Sequence, residues 1–530
     1  MAELKYLQLP DDVDALKQQL LARDRKIIIL EEYIRLLKHK RFGKSSERFV
    51  SDQQDSLFNE AEQLNGDAQA EALDDVAVES PAKATTTAAP TTTRKPGRRK
   101  LPEHLPRFKV YHELDENARQ CSCGCQREAF DIVISEQLGI IPAELYVIQH
   151  CRKKYRCTQC PAQAPLTAPL PPQPFPKSNA SPELMADIVV SKFLDGLPFY
   201  RQEQIWARMA VDLPRATQAR WSIEAGGLVQ PVINLLKEAQ HAGEVMHIDE
   251  TPVQVLKEPD KPPNGKKHMW VTASGPPRSP IILFHYNPSR GSAVADGLLD
   301  GFQGTVISDD WTVYGRVCEK HGLTHIACND HARRKFDEAF KAEPKHKKAG
   351  KISKSAMALN YYQKLYAIER KICDLPVAEK TRVRQCDSVP LWEEFIAWME
   401  KHIQTTTPES KFGVALHYAY RLREKLRFYC EDGRLPISNQ LAENAIRPFA
   451  IARKNFLFYD TPQGASASAN LYSLIMTAKS FGLNPFYYLA FVFKFLPLAK
   501  SVEDIERLLP WNVTDNGMKA CFAFGNRGVC

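Results

Sequence analysis

No stretch of this 530-residue chain stays apolar long enough to span a bilayer. The first residues, MAELKYLQLPDDVDALKQQ, lack the basic-then-apolar pattern of an export signal. Both absences argue against a helix-spanning or exported protein and for a cytoplasmic one. In that compartment the 13 cysteines stay reduced, so clustered ones point to metal rather than disulfide. A phosphate-binding loop is missing as well. The GKSS at 43–46 would need a glycine five residues before Gly43, and Lys38 stands there. Residues 51–80 hold acids but no Lys or Arg, and Thr, Ala and Pro dominate the next stretch. So little apolar surface cannot offset the entropy of ordering the chain, which makes 51–100 a disordered linker. Its basic end, Arg94 to Lys100, suits either a DNA minor groove or plain solvent.

What is present fits a globular protein of several domains, with 44% hydrophobic and 25% charged residues. The net charge of +8 fits a nucleic-acid partner without requiring one. Within residues 1–50, Leu16, Leu20, Ile27, Leu30, Ile34 and Leu37 recur at spacings of four and three, with Arg23 interrupting one core position. Such a heptad row makes either a parallel two-stranded coiled coil or an amphipathic helix packed on its own domain. Residues 101–175 carry the clusters CSCGC and CRKKYRCTQC. Cys157 and Cys160 have the Cys-x-x-Cys spacing that lets two thiolates reach one tetrahedral zinc. The other two ligands come from Cys121, Cys123 and Cys125. Their irregular spacing leaves the pair open, with Cys121 and Cys123 carried forward and His150 and Cys151 in reserve. A structural Zn2+ would staple a module too small for a large core, and Arg152, Lys153, Lys154 and Arg156 beside it suit phosphate. Residues 176–242 read as short helices, the first capped by Ser181 with Pro182 in its first turn. MAVDLPRATQARW resembles the turn and second helix of a helix-turn-helix, which would offer Arg215, Thr217, Gln218 and Arg220 to a groove and Trp221 to the core. The alternative is a helical bundle with an ordinary charged surface.

From Glu244 the periodicity changes. EVMHIDETPVQVL, KKHMWVTASG and SPIILFHYN read as three strands, GTVISDDWTVYG as a fourth running into Asp309 and Asp310, and LTHIACNDHARRKFDEAF as a strand then a helix. By analogy at the level of fold, 243–460 is a ribonuclease-H-like α/β core, with an α-helical insertion at about 340–432 that includes the basic KHKKAGKISK. Residues 461–530 form a C-terminal helical region and tail. Asp249 lies among apolar neighbours, and a buried carboxylate without a partner is costly. Glu443 falls on a later helix, with Arg447 four residues on and on the same face. Asp249, Asp310 and Glu443, converging from strand and helix, are what a pair of Mg2+ ions needs for phosphodiester chemistry, because Mg2+ takes few protein oxygens and fills the rest with water and phosphate. Glu250 should point to the opposite side of its strand from Asp249. Arg447, Arg453 and Lys454 are placed to hold the DNA backbone, or simply to form an exposed basic face.

Taken together, RFGKSSE, GRRKLPEHLPR, the cysteine module, KFLDGLPFYRQEQIWARMAVDLPRATQARW, HIDETPVQVL, HARRKF and LAENAIRPFAIARKNFLF resemble, in order, the transposases of the insertion sequence 66 family, of the DDE group. The resemblance runs from about residue 14 to about 512. It implies a multidomain α+β transposase that binds double-stranded DNA at element ends and at the target. It implies strand cleavage by water and strand transfer by a freed 3′-hydroxyl, with no covalent enzyme intermediate. Two Mg2+ ions, with Mn2+ as a substitute, would be held by Asp249, Asp310 and Glu443, with Asp309 a neighbour. Tyr314 follows the second acid, and Cys328 and His331 match a Cys-x-x-His that supports the site. A homodimer or higher oligomer on DNA, small accessory proteins of the same element and a nucleoid-associated cytoplasmic location are implied too. The rival readings are a ribonuclease-H-like nuclease without strand transfer and a non-catalytic DNA-binding derivative. Two departures stand out. Asn329 and Asp330 replace the usual Trp-Ala and add a carboxylate near the site, and TDNGMKACFAFGNRGVC reads as read-through or a disordered extension.

Overall fold

The computed structural model describes residues 12–42, 145–155, 166–169, 173–175, 178–276, 278–344 and 352–522. The chain divides into two units, residues 46–170 and the remainder. In the smaller unit, β1 (Lys154–Tyr155) pairs antiparallel with β2 (Leu166–Thr167). His150 and Cys151 are exposed there. Cys121, Cys123, Cys125, Cys157 and Cys160 lie outside the described residues, as does the 51–100 linker with its basic end.

The larger unit starts with α1 (Val13–Phe42), one continuous helix. Only its C-terminal part is anchored: Leu36 is buried, Arg35 Nε donates to the Ala342 carbonyl at 2.8 Å, and Glu32 accepts from the Lys411 amide at 3.0 Å. Ile27, Leu30, Ile34 and Leu37 of the heptad row are exposed.

Four helices follow: α2 (Pro182–Phe193), α3 (Phe199–Arg208), α4 (Arg215–Leu228) and α5 (Gln230–His241). Ser181 caps α2, its hydroxyl accepting from the Leu184 amide at 3.2 Å. These helices do not form a separate module. Ile188, Trp221 and Ala225 share one apolar core with Tyr472 and Leu474 of a helix some 250 residues later. Gly226 makes the closest approach, since a Cβ there would come within 2.4 Å of Ala467 Cβ. Only a glycine lets the two backbones meet so tightly.

The sheet contains β3 (Val245–Val253), β4 (Lys267–Ser274), β5 (Ile281–Asn287), β6 (Thr305–Ser308) and β7 (Thr324–Ala327) in the order β5-β4-β3-β6-β7. β3, β4 and β5 form an antiparallel meander, while β6 and β7 run parallel to β3. Parallel pairs need crossovers, and α6 (Ser292–Leu299) and α7 (Thr312–Lys320) supply them. The two-residue period of β3 assigns its faces. Met246 and Ile248 pack with Trp270, Leu299 and Tyr314 under α6 and α7. His247, Asp249 and Thr251 face the other way.

That other face is covered from both sides of a long excursion. α8 (Asn329–Ala342) leads into α9 (Lys354–Ile372), α10 (Val377–Val383), α11 (Val389–Ile403), α12 (Lys411–Arg421) and α13 (Arg423–Arg427). Phe336, Tyr362, Trp392, Phe395 and Leu416 give these helices a core of their own, continuous with Ile307 of the sheet. The chain then returns as α14 (Gln440–Phe456) against β3 and β4, and α15 (Pro462–Ser480) against β5. The expected loose tail is not loose at its start. Residues Asp515–Ala520 form a helix, and Met518 and Phe522 are buried in the main core, because their apolar side chains find a hydrophobic seat beside Lys494. Among the described residues no helix is long and apolar enough to cross a membrane.

Candidate active site

Asp249 stands at mid-strand on the face that α14 covers. Its Oδ1 accepts from the Glu250 amide at 2.9 Å. α14 is tied to β3 at both ends. At its start, Asn439 does not cap the helix with its side chain. Instead Asn439 Oδ1 lies 2.9 Å from His247 Nδ1, and its Nδ2 donates to the Ile248 carbonyl at 2.9 Å, both buried. Beyond its end, the Tyr459 amide donates to the Gln254 carbonyl and the Leu256 amide to the Tyr459 carbonyl, both at 2.9 Å. Between these ties Glu443, one turn into the helix, is carried to the same face as Asp249.

The electrostatics record that meeting. Burial first, then Glu250, Glu443 and Asp309, push the Asp249 carboxyl up to about 7. Asp309 bears on Asp249 and also on Glu250 and Tyr314, and its Oδ1 accepts from the Trp311 amide at 3.1 Å. In the register, Asp249 and Asp309 each stand two residues beyond the matched pair His247 and Ile307, and Ile307 packs with Ala332 and Phe336 of α8. Asp310, the expected second acid, instead makes an ion pair with Arg421 at the end of α12. Glu250 points away from Asp249 as the strand period requires. Arg290 Nε donates to its Oε1 at 2.7 Å, and the Tyr314 hydroxyl donates to its Oε2.

Around Glu443 sit three groups from the start of α8. Cys328 Sγ is 3.9 Å and His331 Nδ1 is 3.6 Å from Oε1, while Arg334 Nη2 is 3.4 Å from Oε2. Asp330 is turned away and accepts from the Tyr366 hydroxyl at 2.7 Å, so the added carboxylate serves the insertion.

The expected DNA-contacting residues divide. Arg215 and Arg220 are exposed on α4, and Glu203 caps that helix through the Arg215 amide at 3.0 Å. Gln218 is fully buried and donates to the Leu213 carbonyl at 2.9 Å, so it fixes the turn before α4 and does not face a groove. Arg447 is half-buried and Lys454 exposed on α14. Arg453 is spent internally, donating to Thr251 Oγ1 at 3.2 Å and to the Pro252 carbonyl. Sequence reasoning missed His247, Asn439, Arg334 and Arg421. The only signal for the first two was a polar residue directly before Ile248 and another directly before the glutamate helix.

Four family models match this chain. "Transposase IS66 family" covers residues 177–467, more than half of it. "Transposase C of IS166 homeodomain" covers 29–110, "zinc-finger binding domain of transposase IS66" covers 118–161, and "IS66 C-terminal element" covers 473–511. Among similar proteins, the uncharacterized protein y4jD of Sinorhizobium fredii is 29% identical over 78% of this chain and 81% of its own length. The uncharacterized protein y4qI of the same organism is 28% identical over 96% of this chain and 98% of its own.

Proposed function

Because the chain belongs to the IS66 transposase family, we propose that it binds the ends of a DNA element, cuts them and joins the freed 3′-hydroxyls to target DNA, using Asp249, Asp309 and Glu443. The observation that carries this is that Asn439 ties the start of the Glu443 helix to β3, which brings Glu443 to the face of Asp249, where Glu443 and Asp309 both raise the Asp249 carboxyl. The second acid is therefore moved one residue, from Asp310 to Asp309, since Asp310 is neutralised by Arg421.

The donor chemistry fits a hard divalent cation. Glu443 and Asp309 both bear on the Asp249 carboxyl, and hard cations take oxygen ligands. Asp249, Asp309 and Glu443 would hold Mg2+, which when bound lowers the cost of attack on phosphorus and of the leaving oxygen. The protein's own part is placement. Glu250 N–H fixes the Asp249 carboxylate, Asn439 holds α14 at the height of Asp249, and Arg334 steadies Glu443. The attacking oxygen comes from water in cleavage and from a DNA 3′-end in joining.

The sheet order, with an antiparallel meander and then two parallel strands, supports a ribonuclease-H-like core. The zinc-finger match supports a structural Zn2+ on Cys157 and Cys160 with two of Cys121, Cys123 and Cys125. The exposure of Arg215, Arg220 and Lys454 supports phosphate contact, and the exposed heptad row of α1 supports pairing with a second copy.

The test is a strand-transfer assay with element-end DNA and Mg2+. Asp249→Ala, Asp309→Ala and Glu443→Ala are expected to lose at least about 1,000-fold in rate, and Asp310→Ala to stay within about tenfold of wild type. Loss in Asp310→Ala with retention in Asp309→Ala would return the second acid to Asp310. Cleavage without joining in the intact protein would leave only a nuclease.

A further inference from the structure

We propose that Cys328, His331 and Glu443 form a binding site for a thiophilic divalent cation of the zinc type, and that filling it withdraws Glu443 from the catalytic carboxylates. The inhibitory half rests on Glu443 being catalytic; the binding half does not.

Geometry carries the first part. The three ligand atoms lie within 4.8 Å of one another. Tetrahedral zinc at its usual bond lengths sets sulfur and carboxylate oxygen about 3.5 Å apart, and imidazole nitrogen and oxygen about 3.3 Å apart. The observed separations are 3.9 Å and 3.6 Å, so a shift of a few tenths of an ångström brings both pairs that involve Glu443 to zinc geometry. Cys328 and His331 start α8 three residues apart, which brings both to one side of the helix. Sγ also accepts from the Asn439 amide at 3.2 Å and from the His331 amide, the outer hydrogen bonding that steadies a metal-bound thiolate. His331 Nδ1 makes no hydrogen bond, which leaves its lone pair for a ligand.

Access is one-sided. Cys328 is 1% exposed, whereas the side chains of His331 and Glu443 are 29% and 20% exposed. A cation thus enters past His331, with water as a fourth ligand. A cation binds the thiolate, so binding releases the thiol proton to solvent and uptake strengthens as pH rises. Mg2+ has no use for sulfur and leaves this set alone. The chemistry therefore separates two cations at one glutamate: hard ions recruit Glu443 toward Asp249, and thiophilic ions recruit it toward Cys328.

The test is a Co2+ titration of the full-length chain loaded with a single equivalent of Zn2+ for its cysteine module, followed by the sulfur-to-cobalt charge-transfer absorption. Wild type is expected to show the band at one added equivalent. Cys328→Ser should lack it, and His331→Gln should need at least about tenfold more Co2+. Thermal melting of both variants within a few degrees of wild type establishes that they fold. No band in wild type, or the same band in Cys328→Ser, overturns the site. In strand transfer, added Zn2+ should inhibit wild type at a concentration at least about tenfold below that needed for Cys328→Ser. Equal sensitivity overturns the switch. If Glu443→Gln keeps strand transfer, the catalytic reading fails while the cobalt result still stands by itself.

Discussion

Lys192 is 8% exposed and lies over the rings of Phe199 at 4.1 Å, Phe456 at 4.9 Å and Phe193 at 5.5 Å. Burial pulls its ammonium down from 10.5 to about 8. Between those values the unfolded chain holds more protons than the folded one, so stability rises with pH across that window. Below about 8 the full cost of the buried charge is present, of the order of 3 kcal/mol before the rings offset part of it. Lys192→Met should therefore melt higher than wild type at pH 7, and the gap should close as pH rises from about 8 to about 10.5. Parallel melting curves across pH check this; a constant gap would sink it. Asn439 poses a different question, since its side chain bonds none of the three acids yet joins α14 to β3. Asn439→Ala should lower the strand-transfer rate by roughly 100-fold, because small misplacements are costly in positioned chemistry. Affinity for end DNA should hardly change. An equal fall in both would make Asn439 merely structural.

At the scale of elements, α14 is the part on which the site depends, and its end is strained. Leu457 has φ +66° and ψ −53°, and the Phe458 amide donates to the Phe456 carbonyl at 2.8 Å across it, a γ-turn of the rare, strained kind. The turn sends Tyr459 back beside Gln254 and so fixes the helix to the end of β3. Leu457 is 64% exposed, so its side chain contributes little packing. Leu457→Gly should stabilise the protein by about 1 kcal/mol after the added freedom of glycine in the unfolded chain is counted, read as a rise in melting temperature. The strands and α14 were legible from periodicity. Gln218 was not, because helix spacing alone does not tell which neighbours cover a face. The alternative of a helical bundle describes the packing that Trp221, Ala225 and Gly226 build against α15.

At the scale of the molecule, the exposed row on α1 and its anchored end make one prediction. Ile27→Lys with Leu30→Lys, both on the free part of the helix, should convert a dimer to a monomer in analytical ultracentrifugation without lowering the melting temperature of the main unit. A wild type that is monomeric at every concentration would remove the coiled coil. The anchor at Leu36 would place any such pairing next to the insertion, which links oligomer and catalytic body through one rigid helix.

The sequence by itself determined the helix of α1, the strand order of appearance and the family, and it singled out Asp249 and Glu443 as candidates, because periodicity and motif order are local properties of a chain. It also determined that Glu250 turns away from Asp249, since a strand alternates. Only the tertiary structure sets Asp310 apart from Asp309. Two adjacent acids at the end of a strand are equivalent by pattern, and what separates them is Arg421, 111 residues later, brought in by a helical insertion with its own core. The same holds for Cys328 and His331: their spacing is written in the chain, but their nearness to Glu443 comes from the tertiary fold, which sets the start of α8 beside the first turn of α14.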